Sequence, residues 1–131
     1  MAYDIDIRQY RWQSMNVPVA LLPIRELRSC CAPITREPIG PANAESLARS
    51  LKALADPARL RIISMVAAHE GNEACVCELT EPLGLSQPTV SHHLKVLVEA
   101  GYLSRSKRGT WAYYRLTAGA LDEVAQLLAT V

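Results

Sequence analysis

The sequence predicts a mainly α fold with one small β-hairpin, a winged helix-turn-helix that works as a dimer. Three observations lead there. Leu85 to Ala100 has the start, apolar stripe and stop of an amphipathic helix, and only three residues separate it from a shorter patterned segment upstream. Two runs rich in aromatic and β-compatible residues, Tyr102 to Arg105 and Thr110 to Leu116, flank a basic turn. Charge is also segregated. From Ser86 to Leu116 five basic residues stand against Glu99 alone, whereas His69 to Glu81 carries four glutamates and no Lys or Arg.

At 131 residues, half of them hydrophobic, the chain has material for one modest core. Its net charge of +1, combined with a locally basic segment, points to a directed nucleic-acid face rather than a generally cationic surface. The longest apolar run, Val17 to Ile24, is broken by Pro18 and Pro23, so no membrane span is expected. Residues 1–16 carry Asp4, Asp6, Arg8 and Arg11, unlike a secretory signal, and the expected location is cytoplasmic. In that reducing compartment the four cysteines are read as thiols for metal or redox chemistry rather than as a disulfide framework.

Residues 1–41 contain five of the eight prolines and little periodicity. They read as a flexible arm with at most a short helix near Ala20 to Arg28, carrying the adjacent Cys30 and Cys31. The folded domain is expected over residues 42–131. From Asn43 onward, Leu47, Leu51 and Leu54 make a helical face that ends near Asp56. Asp56 then caps a second helix with Pro57 at its first position, and Leu60, Ile63, Val66 and Ala67 are assigned to its core side. His69 to Asn72 is a turn. Glu73 to Gly84 reads as a short helix with Val76, Leu79 and Leu83 inward.

Ser86 is the N-cap of the next helix, whose Val90, Leu94, Leu97 and Val98 form one stripe, and Gly101 ends it as a left-handed cap. Gln87, Thr89, Ser91, His92 and Lys95 are left outward, a set that combines donors and acceptors for base edges with a lysine for phosphate. His93 is read as partly buried packing. Ser106 to Gly109 is taken as the hairpin tip. Thr117 is expected to cap a last helix. Its stripe of Leu121, Val124, Ala125 and Leu128 lacks an evident partner in its own chain and is assigned to dimerisation. No Ser-His-Asp order, Gly-rich phosphate loop or paired-acid arrangement has a supporting context, so no enzyme is expected.

Three segments, Leu51 to Ile62, Cys75 to Leu79 and Leu85 to Lys95, resemble the ArsR/SmtB family of metal-sensing winged-helix repressors, most of all the arsenical-resistance operon repressors. The resemblance covers about Leu47 to Leu128. It implies a homodimer on double-stranded operator DNA that lets go when a metal or metalloid binds, with half-sites roughly 34–36 Å apart. Matched position by position, it places DNA contacts on Ser86, Gln87, Thr89, Ser91, His92 and Lys95, and wing contacts on Arg105, Lys107 and Arg108. Cys75-Val-Cys77 looks like the family's thiolate motif.

At 100° per residue, cysteines two apart point about 200° away from each other on a regular helix, so both cannot clasp one ion there. Either Cys75 lies in an extended lead-in, or binding unwinds the first turn, or only one of the two is a ligand. Cys30 and Cys31 are the most economical source of further thiols. Three thiolates suit As(III) or Sb(III), whereas four suit tetrahedral Cd(II), Pb(II) or Zn(II). The preferred set is Cys30, Cys31 and at least one of Cys75 and Cys77, with As(III) as inducer. Two other readings stay open: a thiol-redox enzyme, which leaves the helix-turn-helix without purpose, and a repressor of the same fold that senses oxidants through a disulfide.

Overall fold

The computed structural model describes residues 33–129, which form five α-helices and a three-stranded antiparallel sheet. The expected helix near Ala20 to Arg28, and Cys30 and Cys31, lie outside the described residues. In chain order the elements are α1 (Pro41–Leu54), α2 (Pro57–Ala68), β1 (Glu73–Cys75), α3 (Val76–Leu83), α4 (Gln87–Glu99), β2 (Leu103–Arg108), β3 (Trp111–Leu116) and α5 (Ala120–Leu128). The sheet order is β1-β3-β2. No helix among the described residues is long and apolar enough to cross a membrane.

Helix α1 begins at Pro41, two residues before the position that apolar spacing indicates. Proline is favoured at the first helical position because its missing N–H has no intrahelical partner there. Asp56 caps α2 as expected, its Oδ1 accepting from the N–H groups of Ala58 at 2.8 Å and Arg59 at 3.2 Å. The assignment of its buried face is corrected. Ile62, Ile63 and Val66 are buried, whereas Ala67 is exposed and Leu60 is 53% exposed. The inward stripe is rotated by about one residue position, towards the side that meets α3, α4 and β1.

Glu73–Cys75 is a strand, not the first turn of a helix. It pairs with β3 in the register Glu73↔Arg115, Ala74↔Tyr114 and Cys75↔Tyr113. Three residues carry no usable strand periodicity, so this pairing is legible only once β3 is in place. Helix α3 follows at once, and Gly84 ends it with φ +66°, a left-handed conformation that a side chain resists. Arg61 Nη2 donates to the Pro82 carbonyl at 3.0 Å, fastening α2 to the end of α3.

The opening stripe of α4 is as expected. Val90, Leu94 and Leu97 are fully buried, Val98 is partly buried, and Gly101 follows the helix at φ +86°. The hairpin is longer than expected. Strand pairing continues to Arg108↔Trp111, so the turn is Gly109-Thr110, and Ser106, Lys107 and Arg108 belong to β2 rather than to the tip.

Tyr102 lies at the centre of the core with no exposed surface. Its hydroxyl donates to the Ser50 carbonyl at 2.9 Å, linking the start of the wing to α1. The last helix also departs from expectation. Gly119, at φ +79°, is its N-cap, while Thr117 uses its backbone, donating to the Tyr102 carbonyl at 2.9 Å. Val124 packs with Ala120 in the core of its own chain, and Leu127 meets Leu47 on α1. The premise that the stripe lacks an intramolecular partner is therefore corrected for Val124. Leu121, Ala125 and Leu128 remain exposed on the other side, at spacings of four and three that keep them on one face.

Candidate nucleic-acid interface and thiol site

Ser86 caps α4 in extended backbone conformation, its Oγ accepting from the Thr89 N–H at 3.4 Å and meeting Thr89 Oγ1 at 2.8 Å. The hydroxyls of Ser86 and Thr89 thus satisfy each other. Gln87, Ser91, His92 and Lys95 are exposed along the same side of the helix. Lys95 Nζ is 3.9 Å from Glu99 Oε1, an exposed pair one turn apart that adds little stability and leaves the ammonium accessible to an anion.

His93 turns the other way. Its Nδ1 is 3.2 Å from Arg59 Nη1. A guanidinium has donors and no acceptor, so Nδ1 is the accepting atom of this contact. Arg59 also donates from Nε to the Ala53 carbonyl at 2.6 Å and from Nη2 to the Lys52 carbonyl at 3.2 Å. One side chain on α2 therefore joins the C-terminus of α1 to the outward-bearing helix α4. Partial burial pushes the Asp56 carboxyl up, but the N–H groups of Arg59 and Ala58 and the Arg59 charge more than offset this and hold it below its usual value. Burial pushes the Tyr102 hydroxyl up to about 12.

On the wing, Arg105 and Lys107 are exposed. Arg108 bends back over the sheet, its guanidinium 4.5 Å from the Tyr113 ring centroid and its Nη2 2.7 Å from Glu73 Oε1. Arg115 Nη2 is 3.4 Å from the other Glu73 oxygen.

Cys75 is the N-cap of α3, with φ −80° and ψ 152°. Of the three alternatives for Cys75-Val-Cys77, this geometry is the extended lead-in. Because Cys75 is not yet helical, the 200° separation does not apply. The two sulfurs come together as a bonded pair, with the Cα atoms 5.3 Å apart. The Cys77 N–H donates to Cys75 Sγ at 3.4 Å, and the Cys75 N–H donates to Glu78 Oε2 at 2.7 Å. Cys75 is 4% exposed whereas Cys77 is exposed, so the pair reaches the surface through Cys77. Reduction of this bond would leave two thiols at one helix start, the donor type that soft ions select.

Sequence reasoning missed Arg59, Glu73 and Glu78. Glu78 was within reach, since a cap followed three residues later by Glu is a capping-box spacing, with cysteine in place of the usual hydroxyl residue. Glu73 meets Arg108 and Arg115 across the sheet, and Arg59 meets His93 from another helix, contacts that leave no local signal.

A helix-turn-helix with a basic hairpin packed behind it and an exposed polar face on its second helix defines the class: a winged helix-turn-helix transcriptional regulator. The family described as bacterial regulatory protein, arsR family, matches residues 56–105. An arsenical resistance operon repressor of Staphylococcus aureus is 37% identical over 84 residues, 64% of this chain and 78% of that one. The chain belongs to the arsR family of transcriptional repressors. Among solved structures, the homodimeric winged helix-turn-helix DNA-binding domain of a possible ArsR-family regulator from Mycobacterium bovis is 30% identical, with a TM-score of 0.55 over 71% of this chain and 81% of that one. The AntR antimony-specific transcriptional repressor is 26% identical, with a TM-score of 0.58 over 69% of this chain and 80% of that one.

Proposed function

We propose that this chain is a homodimer that binds double-stranded operator DNA and releases it when As(III) or Sb(III) binds cysteine thiolates. The observation that carries the reading is the convergence of the Cys75 and Cys77 sulfurs at the start of α3, the first helix of the helix-turn-helix. Ser86, Gln87, Thr89, Ser91, His92 and Lys95 read the major groove and its backbone, while Arg105, Lys107 and Arg108 engage the flanking phosphates. The exposed face of Leu121, Ala125 and Leu128 supplies the dimer contact. The arsenical resistance repressor among the relatives and the antimony-specific repressor among the structures support a trivalent metalloid over Cd(II), Pb(II) or Zn(II).

The chain's own residues determine how binding is transmitted. Reduced Cys75 and Cys77 supply two donors from α3, and Cys30 and Cys31 supply the remainder from the preceding segment. Occupation pulls on the N-terminus of α3, which the Gly84 turn couples to α4. A coupling of about 1–3 kcal/mol is typical of such devices, and it acts reciprocally between inducer and DNA. An inducer held by cysteine thiolates requires Cys75 and Cys77 reduced, and we assign the activity to a reducing cytoplasm on that ground.

The test is fluorescence anisotropy with a labelled duplex from upstream of the chain's own gene, titrated with arsenite, antimonite, cadmium, lead and zinc. Arsenite and antimonite release the wild-type protein, while Cys75→Ser/Cys77→Ser and Cys30→Ser/Cys31→Ser retain the duplex. Release of the Cys75→Ser/Cys77→Ser variant at wild-type arsenite removes this site from the mechanism. The bonded Cys75–Cys77 pair favours one second reading, an oxidant-sensing repressor. Peroxide that releases DNA in step with the mass loss of disulfide formation, with arsenite inert, establishes that alternative.

A further inference from the structure

The sheet places the thiol pair and the wing on one face. Cys75 stands opposite Tyr113, and Glu73, two residues earlier on β1, stands opposite Arg115. Directly opposed residues share a face of an antiparallel pair, as do residues two apart on a strand. Cys75, Glu73, Tyr113 and Arg115 are therefore neighbours on the same side. Arg108 is the last residue of β2, at the edge of the hairpin turn, and its side chain crosses β3 to reach this row. It passes over the Tyr113 ring and ends 2.7 Å from Glu73 Oε1. Arg115 takes the second oxygen at 3.4 Å.

The exposure of the partners is unequal. The Glu73 side chain is 13% exposed, against 56% for Arg108 and 57% for Arg115. The carboxylate is the more buried end, and the two guanidiniums are the ends with access to solvent. A carboxylate and a phosphate diester compete for a guanidinium through the same two-pronged hydrogen-bond geometry.

We propose that Glu73 is a positioning residue that competes with DNA phosphate for Arg108, and partly for Arg115, weakening the phosphate contact of Arg108 without abolishing it, so that it sets the strength and salt dependence of DNA binding. Because β1 ends in Cys75, the same strand carries the carboxylate that holds the wing and the sulfur that binds the inducer. The wing is thereby tied to the thiol site independently of the α3–α4 turn. The inference rests on the DNA-binding reading above and refines the role of Arg108 within it.

The experiment measures equilibrium binding of the full, reduced chain, without inducer, to the upstream duplex and to an unrelated 30-base-pair duplex across a range of KCl concentrations. Each additional phosphate contact steepens the dependence of log K on log salt by about 0.9. Glu73→Gln is expected to steepen the slope by about one and to tighten binding on both duplexes about two- to fivefold at moderate salt, the range set by release of the half-exposed Arg108 from its ion pair. The added slope disappears in Glu73→Gln/Arg108→Ala. Circular dichroism checks folding, and Glu73→Ser, which also removes the charge, carries the same expectation should the glutamine variant not fold. An unchanged or shallower slope overturns the proposal, since a Glu73 that only stabilises the sheet, or that presents Arg108 to DNA, gives that result. Failure of the wild-type chain to bind either duplex at low salt refutes the underlying DNA-binding reading instead, so the two failures are distinguishable.

Discussion

Replacing Arg59 with methionine removes the polar fastening between α1, α2 and α4 while keeping most of the aliphatic stem. The Arg59 side chain is 16% exposed. It loses donations to the Ala53 carbonyl at 2.6 Å, the Lys52 carbonyl at 3.2 Å and His93 Nδ1 at 3.2 Å. The Ala53 carbonyl is among the last four of α1, which have no intrahelical partner. Hydrogen bonds from a charged donor contribute about 1.5–3 kcal/mol each, and water compensates part of this at the more open end, so the three together amount to about 2–4 kcal/mol. The Asp56 carboxylate, 4.0 Å away, adds little. For a domain of this size, 1 kcal/mol lowers Tm by about 4–8 °C, so Arg59→Met is expected to lower it by about 8–32 °C. Thermal unfolding followed by circular dichroism measures this. Arg59→Lys recovers only part of the loss, because an ammonium cannot fork between two carbonyls and a ring nitrogen. A double-mutant cycle with His93→Ala isolates the link to α4 and is expected to show a coupling of at least about 0.5 kcal/mol. A Tm drop under about 3 °C together with no coupling would refute the reasoning.

Asp56→Ala removes the α2 cap and is expected to cost about 0.5–2 kcal/mol in urea unfolding at neutral pH. Because the folded Asp56 carboxyl titrates below its unfolded value of about 3.9, its contribution is present above that value. The contribution is lost as pH falls through the lower folded value, so the gap between wild type and variant closes only in strong acid. Tyr102→Phe is expected to cost about 1 kcal/mol by leaving the Ser50 carbonyl without its hydroxyl partner. With the hydroxyl pushed up to about 12, the stability that Tyr102 contributes is complete below about pH 10 and is lost as pH rises through 12, which ultraviolet titration of the folded chain follows. Leu94→Ala, at a fully buried site in α4, is expected to cost about 2–5 kcal/mol, whereas Leu60→Ala, at a 53% exposed site, changes stability by less than about 0.5 kcal/mol.

The elements that were legible in the sequence are those whose determinants are local. Asp56-Pro57 and Ser86 are caps, Gly101 is a left-handed stop, and Val90, Leu94 and Leu97 repeat at helical spacing. Each is settled by residues within about one turn of each other. The misreadings share a different cause. Helical phase alone did not distinguish Leu60 from Ile62, because both flank the stripe and only the position of α3 and α4 decides which side is covered. Spacing alone groups Val124 with Leu121 and Leu128, whereas the core lies against its side of α5.

The candidate site divides along the same line. The outward residues of α4 follow from spacing, and membership of the arsR family is carried by segments that are contiguous in the chain. What the sequence by itself determined is therefore the order of the helices, the caps at Asp56 and Ser86, the exposed side of α4 and the presence of two cysteines at the start of α3. The tertiary structure alone decided that Glu73–Cys75 is a strand. It thereby decided that Cys75 leaves the helical phase and meets Cys77, that Glu73 holds Arg108, and that Arg59 reaches His93. The physical reason is that a strand of three residues exists only through its partner β3, about forty positions away, and pairing at that separation leaves no periodic trace in the residues themselves.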